Sequence, residues 1–378
     1  MNRRRGMWLA LAVVLLAAGA WLMVSGSGEQ PAPEPKKIVF PSRMQRSQWK
    51  RADERKTQVV PAVLDAGVVA GEKPRMRDPV LAALPRGAGH SAMVIEANAL
   101  RNSPIGELLL DCLLRDGGRS MEDFRKATGV DPLQDLDRLV ITDEGMVFSG
   151  DFSKAHFQDM LQERVALDYG PGARVYEPGA VLMTGGDGGV RRGRNSSAVG
   201  TWNNQMLVVG DSPDAVKKVL DRVQGGGSNE QPVIPEDATY GEMYGVVSVE
   251  MLARMLPPDQ AELAQRLKEA ASTVELHMDA SSDMAMVAHV KGSDDSKVQD
   301  LGKSLGAALS VARLKAQADG NTDMAQMLDF AKVQPDGSSF KMELAVPLDV
   351  LRERLAFCRD ERQASEAREA APGMEGNP

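Results

Sequence analysis

Hydrophobic positions repeat with two different periods along this chain, and each change of period marks an element. A run with no period at all comes first: Met7–Val24, MWLALAVVLLAAGAWLMV, holds about 18 residues without a charge, roughly 27 Å as a helix and enough to cross a bilayer. Between 25 and 89 no strong period appears. Order is expected from His90, where SAMVIEA reads as a strand. The next segment places Ile105, Leu108, Leu109, Cys112 and Leu113 on one helical face, with Ser103 as cap and Pro104 at the first helical position. DPLQDLDRLVIT reads as a capped turn feeding a strand, GMVFSGDF as the next strand, and SKAHFQDMLQERV as a helix through Phe157, Met160, Leu161 and Val165. Two hairpins follow, one closing on Asn203-Asn204.

QGGGSNEQPVIPEDA, residues 224–238, is a linker by composition, and MYGVVSVEMLARML then restarts with a strand as HSAMVIEANALRN did. Both halves run through a helix, a strand pair, a helix, a hairpin and a final helix, which predicts an internal duplication. In the second half, Val274, Leu276 and Met278 face one way and Glu275, His277 and Asp279 the other. A turn about Ser282 then pairs Val274 with Val290, Leu276 with Ala288 and Glu275 with His289. One face is apolar and the other wet, as an antiparallel sheet covered on one side requires. SSFKMELAV repeats the alternation. The expected fold is α+β: two related halves, each an antiparallel sheet with helices packed on one face, after an N-terminal transmembrane helix and a disordered linker. The boundaries are 1–6 for a cytoplasmic N-terminus, 7–24 for the anchor, 25–89 for the linker with a basic segment at 36–56, 90–223 for the first half, 224–238 for the linker, 239–358 for the second half and 359–378 for a disordered tail.

Composition narrows the possibilities. Aromatics are 4% of the chain while methionine reaches 21 residues, so the core rests on aliphatics and flexible Met, and cofactor boxes lined by rings are disfavoured. The net charge of −8 is uneven: residues 1–56 carry about +7 and the remainder about −15. An acidic body repels nucleic acid. Arg3, Arg4 and Arg5 ahead of the apolar run direct the N-terminus to the cytoplasm and the body to the periplasmic side of the bacterial inner membrane. Ala18-Gly19-Ala20 would suit a signal-peptide cut. The continuation through Trp21, Leu22, Met23 and Val24 favours an uncleaved single-pass anchor. About 65 disordered residues give a reach of some 45 Å, so the body is tethered; the basic segment reads as solvated linker or as a contact to anionic headgroups or an acidic wall polymer.

Candidate chemistry is sparse. LVVGDSPDAVKKVLD has one glycine, Gly210, where a phosphate loop would need a Gly-rich turn ending in Gly-Lys-Ser/Thr. It reads instead as a strand-to-helix corner with Ser212 as cap and Pro213 at the first position. Glu275, His277, Asp279 and His289 share one predicted sheet face, a donor set that would suit Zn²⁺, although alternating polar residues are the default on a solvated face. His90 and His156 have no evident sequence partners. Arg191, Arg192 and Arg194 in the loop from Gly185 form an anion-contacting candidate, with a mobile loop as the plainer reading. Cys112 and Cys358 are the only cysteines, both on apolar faces; an oxidising compartment would let them bridge, and two buried thiols are the alternative. No catalytic, cofactor or metal residues are assigned.

The run of ALRNSPIGELL, GVDPLQDLDRLVIT, the strand-to-helix corner at GMVFSGDF, LVVGDSPDAVKKVLD and VVSVEML resembles a bacterial family of uncharacterised, membrane-anchored extracytoplasmic proteins, over roughly Ala88 to Phe357. The resemblance implies a duplicated α+β body on one anchor and carries no known activity, substrate or catalytic residue. The first expectation for function is therefore a non-catalytic envelope interaction or scaffold module, held to the membrane by its N-terminal helix and contacting envelope proteins, not nucleic acid. Its oligomeric state is left open. A carrier or sensor binding an apolar or polysaccharide ligand beside Met251, Met255, Met324 and Met327 is the alternative, and an enzyme comes third.

Overall fold

The computed structural model describes residues 57–59, 75–156, 161, 164–177, 182–184, 190–192, 197–226, 230–255, 261–336 and 338–356. In chain order the strands and helices are β1 (Thr57–Val59), β2 (Arg75–Arg77), α1 (Pro79–Ala83), β3 (Ala92–Ile95), α2 (Ala97–Arg101), α3 (Pro104–Thr128), β4 (Leu136–Thr142), β5 (Gly145–Gly150), β6 (Val165–Asp168) and β7 (Ala173–Glu177). They continue as β8 (Leu182–Thr184), β9 (Val190–Arg192), β10 (Ala198–Trp202), β11 (Met206–Gly210), α4 (Pro213–Val223), β12 (Met243–Ser248), α5 (Val249–Met255) and α6 (Ala261–Ala270). The last are β13 (Thr273–Asp279), β14 (Met284–Lys291), α7 (Asp295–Ala318), α8 (Thr322–Asp329), β15 (Ala331–Asp336), β16 (Ser339–Val346) and α9 (Leu348–Arg354). The protein is α+β, with antiparallel sheet and helices.

The chain divides into two compact units. One, here the N-terminal unit, holds Met44–Asn102 and Asp116–Val246; the C-terminal unit holds Ser103–Arg115 and the chain from Val247. Ser103–Arg115 thus groups with the later residues, where composition had placed it in the first half.

In the N-terminal unit the strand order is β12-β3-β4-β5-β11-β10-β7-β6, antiparallel at every step. The β10–β11 hairpin turns through Asn203, Asn204 and Gln205, with Asn203 and Asn204 at φ 49° and 53°, the left-handed region that asparagine tolerates, and Gln205 N–H donating to the Trp202 carbonyl at 3.0 Å. α4 starts where the sequence marks it: Ser212 Oγ accepts the N–H of Ala215 at 3.2 Å, with Pro213 in the first turn. Its inner face, Val216, Val219, Leu220 and Val223, is buried in one core with Val175, Ala198 and Val208. Each such side chain contributes about 1.5–3 kcal/mol on burial. The helix lies so close that a Cβ at Gly200 would stand 2.5 Å from Val216 Cγ1.

In the C-terminal unit the order is β15-β16-β14-β13. β13 and β14 pair Val274 with Val290, Leu276 with Ala288 and Glu275 with His289, the expected register. Val274, Val290 and Phe340 meet Val298 and Leu301 of α7 in the core, the covered face.

Three expectations need correction. Order begins before His90: α1 lies within the stretch read as linker, with Asp78 capping Val80 N–H at 2.9 Å and Val80 and Leu84 fully buried. Five residues are too few to display a helical period. Val165, expected on a helix face, opens strand β6, and residues 153–156 of that expected helix form a turn and irregular chain, while 157–160, 162 and 163 lie outside the described residues. His277, assigned to the wet face, is 1% exposed. Met7–Val24, most of the linker and 359–378 lie outside the described residues, and no helix among the described ones is long and apolar enough to cross a membrane.

Candidate functional site

The polar face of the C-terminal sheet gathers the titratable side chains that alternation predicts. Glu275 on β13 lies opposite His289 on β14, and His289 lies opposite Lys341 on β16. His277 Nε2 stands 2.9 Å from Glu275 Oε1, and Lys291 donates from Nζ to Glu275 Oε2 at 2.8 Å. The two imidazoles meet edge to face at 6.4 Å between centroids. The carboxylate thus has a partner on each oxygen.

These partners set the protonation states. The His277 hydrogen bond, aided by Lys291, holds Glu275 down to about 2 against the opposing effect of burial, so it is ionised at neutral pH. Burial lowers His289 below its ordinary value; Glu275 pulls it up, and Lys341, His277 and Lys291 push it down. Asp279 does not join the cluster. It turns to the hairpin, accepting from Ser281 N–H at 2.8 Å and Ser281 Oγ at 2.6 Å. Among the described residues no group of three or more His, Cys, Asp or Glu is placed to hold a metal ion, so the Zn²⁺ reading finds no support in this geometry. The arrangement orients His277 against a fixed carboxylate.

A second ionic cluster, in the N-terminal unit, has no local sequence signal. Arg138 on β4 donates to Asp78 Oδ2 at 2.6 Å, with side-chain exposures of 8% and 5%. Tyr244 on β12 donates its hydroxyl to Glu96 Oε1 at 3.0 Å, and Glu96 is also buried. Burial by itself would lower the Arg138 pKa; Asp78, through charge and hydrogen bond, with Glu96 and Tyr244, more than offsets it and raises the value. Asp78 does double duty because its other oxygen caps α1. The Asp-Pro pair at 78–79 was the one clue available in the sequence. Arg222 of α4, also buried, donates to the Ala83 carbonyl and to Glu144.

The remaining candidates separate. Gly210 offers no phosphate cradle: a Cβ there would meet Val216 Cγ2 at 3.0 Å, and the α4 cap is occupied by Ser212. His90 has a partner after all, Asp143, with Nδ1 and Oδ2 2.7 Å apart at the surface. Arg191 and Arg192 lie in β9, opposite Met183 and Leu182, and Arg194 lies outside the described residues. Cys112, on α3, is disulfide-bonded; Cys358 lies outside the described residues. Of the methionines in the carrier reading, Met327 is buried and Met251 and Met324 are half-buried.

No protein-family model matches this chain, nor does any curated protein or solved structure.

Proposed function

We propose that this protein is a non-catalytic interaction or scaffold module of the bacterial envelope, tethered to the inner membrane by Met7–Val24 with its N-terminus in the cytoplasm and its body in the periplasm. The observation that carries the reading is the engagement of the clustered ionisable groups with one another. Glu275 is bonded through both oxygens, Asp78 is divided between Arg138 and a helix cap, and Glu96 accepts from Tyr244. A site built for turnover aims a perturbed group at a cleft; these groups are aimed at each other. The apolar run and its three arginines support the anchor and its direction. A bridge from Cys112 to Cys358 belongs to the same reading, since an exported body meets an oxidising compartment.

The proposal includes descent of the body from a duplicated unit, as in the family it resembles. Strand-to-helix corners recur at β3–α2, β11–α4, β12–α5, β14–α7 and β16–α9, which supports it. The test is in-cell crosslinking of the full-length protein followed by affinity purification. Reproducible, stoichiometric envelope proteins are the expected result. A co-purifying lipid or glycan without a protein partner supports the carrier instead, and a C-terminal fluorescent fusion active only in the cytosol overturns the topology.

A further inference from the structure

β6 ends the sheet of the N-terminal unit, its one strand neighbour among the described residues being β7. All four of its residues are exposed, Val165 at 57% and Leu167 at 39%. Sheet edges in soluble proteins are usually blunted by lysine, proline or a bulge, because their free N–H and C=O groups template further pairing. RVALD, residues 164–168, contains no proline or lysine, and its only charges are Arg164 and Asp168, one at each end; Arg164 Nη1 donates to the Ser197 carbonyl at 2.6 Å and Asp168 pairs with Arg174 at 3.3 Å.

The backbone orientation follows from the hairpin. Tyr169 donates its N–H to the Ala173 carbonyl at 2.9 Å, and Leu167 and Val165 continue that register against Val175 and Glu177. Groups on alternate residues point to opposite sides of a strand. The N–H and C=O of Ala166 and Asp168 therefore point away from β7. Arg164 N–H is engaged by Leu161 at 2.8 Å.

We propose that β6 is a self-complementary edge, along which a second copy of this chain pairs antiparallel about a two-fold axis through Ala166. In that register Ala166 faces Ala166, Val165 faces Leu167 and Arg164 faces Asp168 of the second copy, each of the last two pairs occurring twice. Ala166 N–H donates to the opposite Ala166 carbonyl, and Asp168 N–H to the opposite Arg164 carbonyl, giving four backbone hydrogen bonds across the axis. The exposed apolar pair Val165 and Leu167 is covered on one face; on the other, Asp168 exchanges its exposed pair with Arg174 for Arg164, whose guanidinium offers the donors that the Ser197 carbonyl leaves unused. A slip of two residues either way separates Arg164 from Asp168, so the charges select one register. A parallel arrangement would place like charge on like. The inference does not rest on the module reading, since an enzyme or a carrier would dimerise along the same edge.

The experiment measures the mass of the full-length protein in detergent by light scattering across a concentration series. Wild type is expected to form a dimer, and Ala166→Pro, which removes an outward N–H without touching the β7 ladder, is expected to raise the dissociation constant at least tenfold. Arg164→Asp and Asp168→Arg should each abolish the homodimer, while an equimolar mixture of these two variants should restore a heterodimer; this arm decides the matter if the proline variant fails to fold. A wild-type protein that stays monomeric, a dimer indifferent to these changes, or a mixture that does not associate overturns the proposal. So does a monomer whose β6 captures a different protein in an Ala166-dependent way.

Discussion

Each of the two ionic clusters sets a carboxylate against a cation, in opposite settings. Arg138 and Asp78 are shut away from water at 8% and 5% side-chain exposure, whereas Lys291, the cation of the Glu275 cluster, is 58% exposed. An enclosed charge without its partner keeps its desolvation penalty, so the first cluster behaves as an all-or-none structural lock. An open pair is screened and replaceable by water, so the second titrates and yields gradually. The difference shows how exposure of the cation changes what a carboxylate–cation pair does.

Arg138→Met is the sharpest way to test this and carries the largest expected effect, a loss of about 3–5 kcal/mol in urea unfolding, because Asp78 and Glu96 are left buried beside an apolar chain. A loss under about 1 kcal/mol would mean that water reaches the site. Tyr244→Phe deprives Glu96 of one donor and is expected to cost about 1–2 kcal/mol, with faster amide exchange in β3 and β12 as the local readout.

The comparison also predicts how the open cluster answers acid. His289 is held below its ordinary 6.5, so the folded state resists its protonation and stability declines as pH falls below about 6.5. Glu275 sits at about 2 in place of 4.5; its contribution is present above about 4.5 and is lost as pH falls toward 2. Hydrogen exchange of β13 and β14 amides should therefore accelerate in two stages, the upper removed by His289→Gln and the lower by Glu275→Gln. Equal acceleration in both variants and wild type would show that neither group governs the acid response. Lys291→Ala marks the small end of the series, at most about 0.5 kcal/mol near neutral pH, and a larger loss would place Lys291 among the structural charges.

Much of the local architecture was legible along the chain. The register of β13 with β14 followed from strict alternation about Ser282, because a one-residue slip would turn every apolar side chain to the wrong face. Ser212-Pro213 announced α4 because cap and proline act within one turn. α1 was missed because five residues show no period, and only Asp78 with Pro79 hinted at it. The polar cluster was legible as a set of residues on one face, yet its membership was not: Asp279 leaves for the turn, and Lys291 and Lys341 approach from neighbouring strands.

What the sequence alone determined, then, is the set of features governed by residues a few positions apart: caps, turns, strand alternation and the apolar run at the start. Only the tertiary structure decided that Arg138 meets Asp78 across 60 residues, that His277 is closed off from water on a face patterned as wet, and that β6 stands at the rim of its sheet. Periodicity states which way a side chain points, whereas burial and pairing depend on what the rest of the chain brings to that place, a non-local quantity that no short window contains.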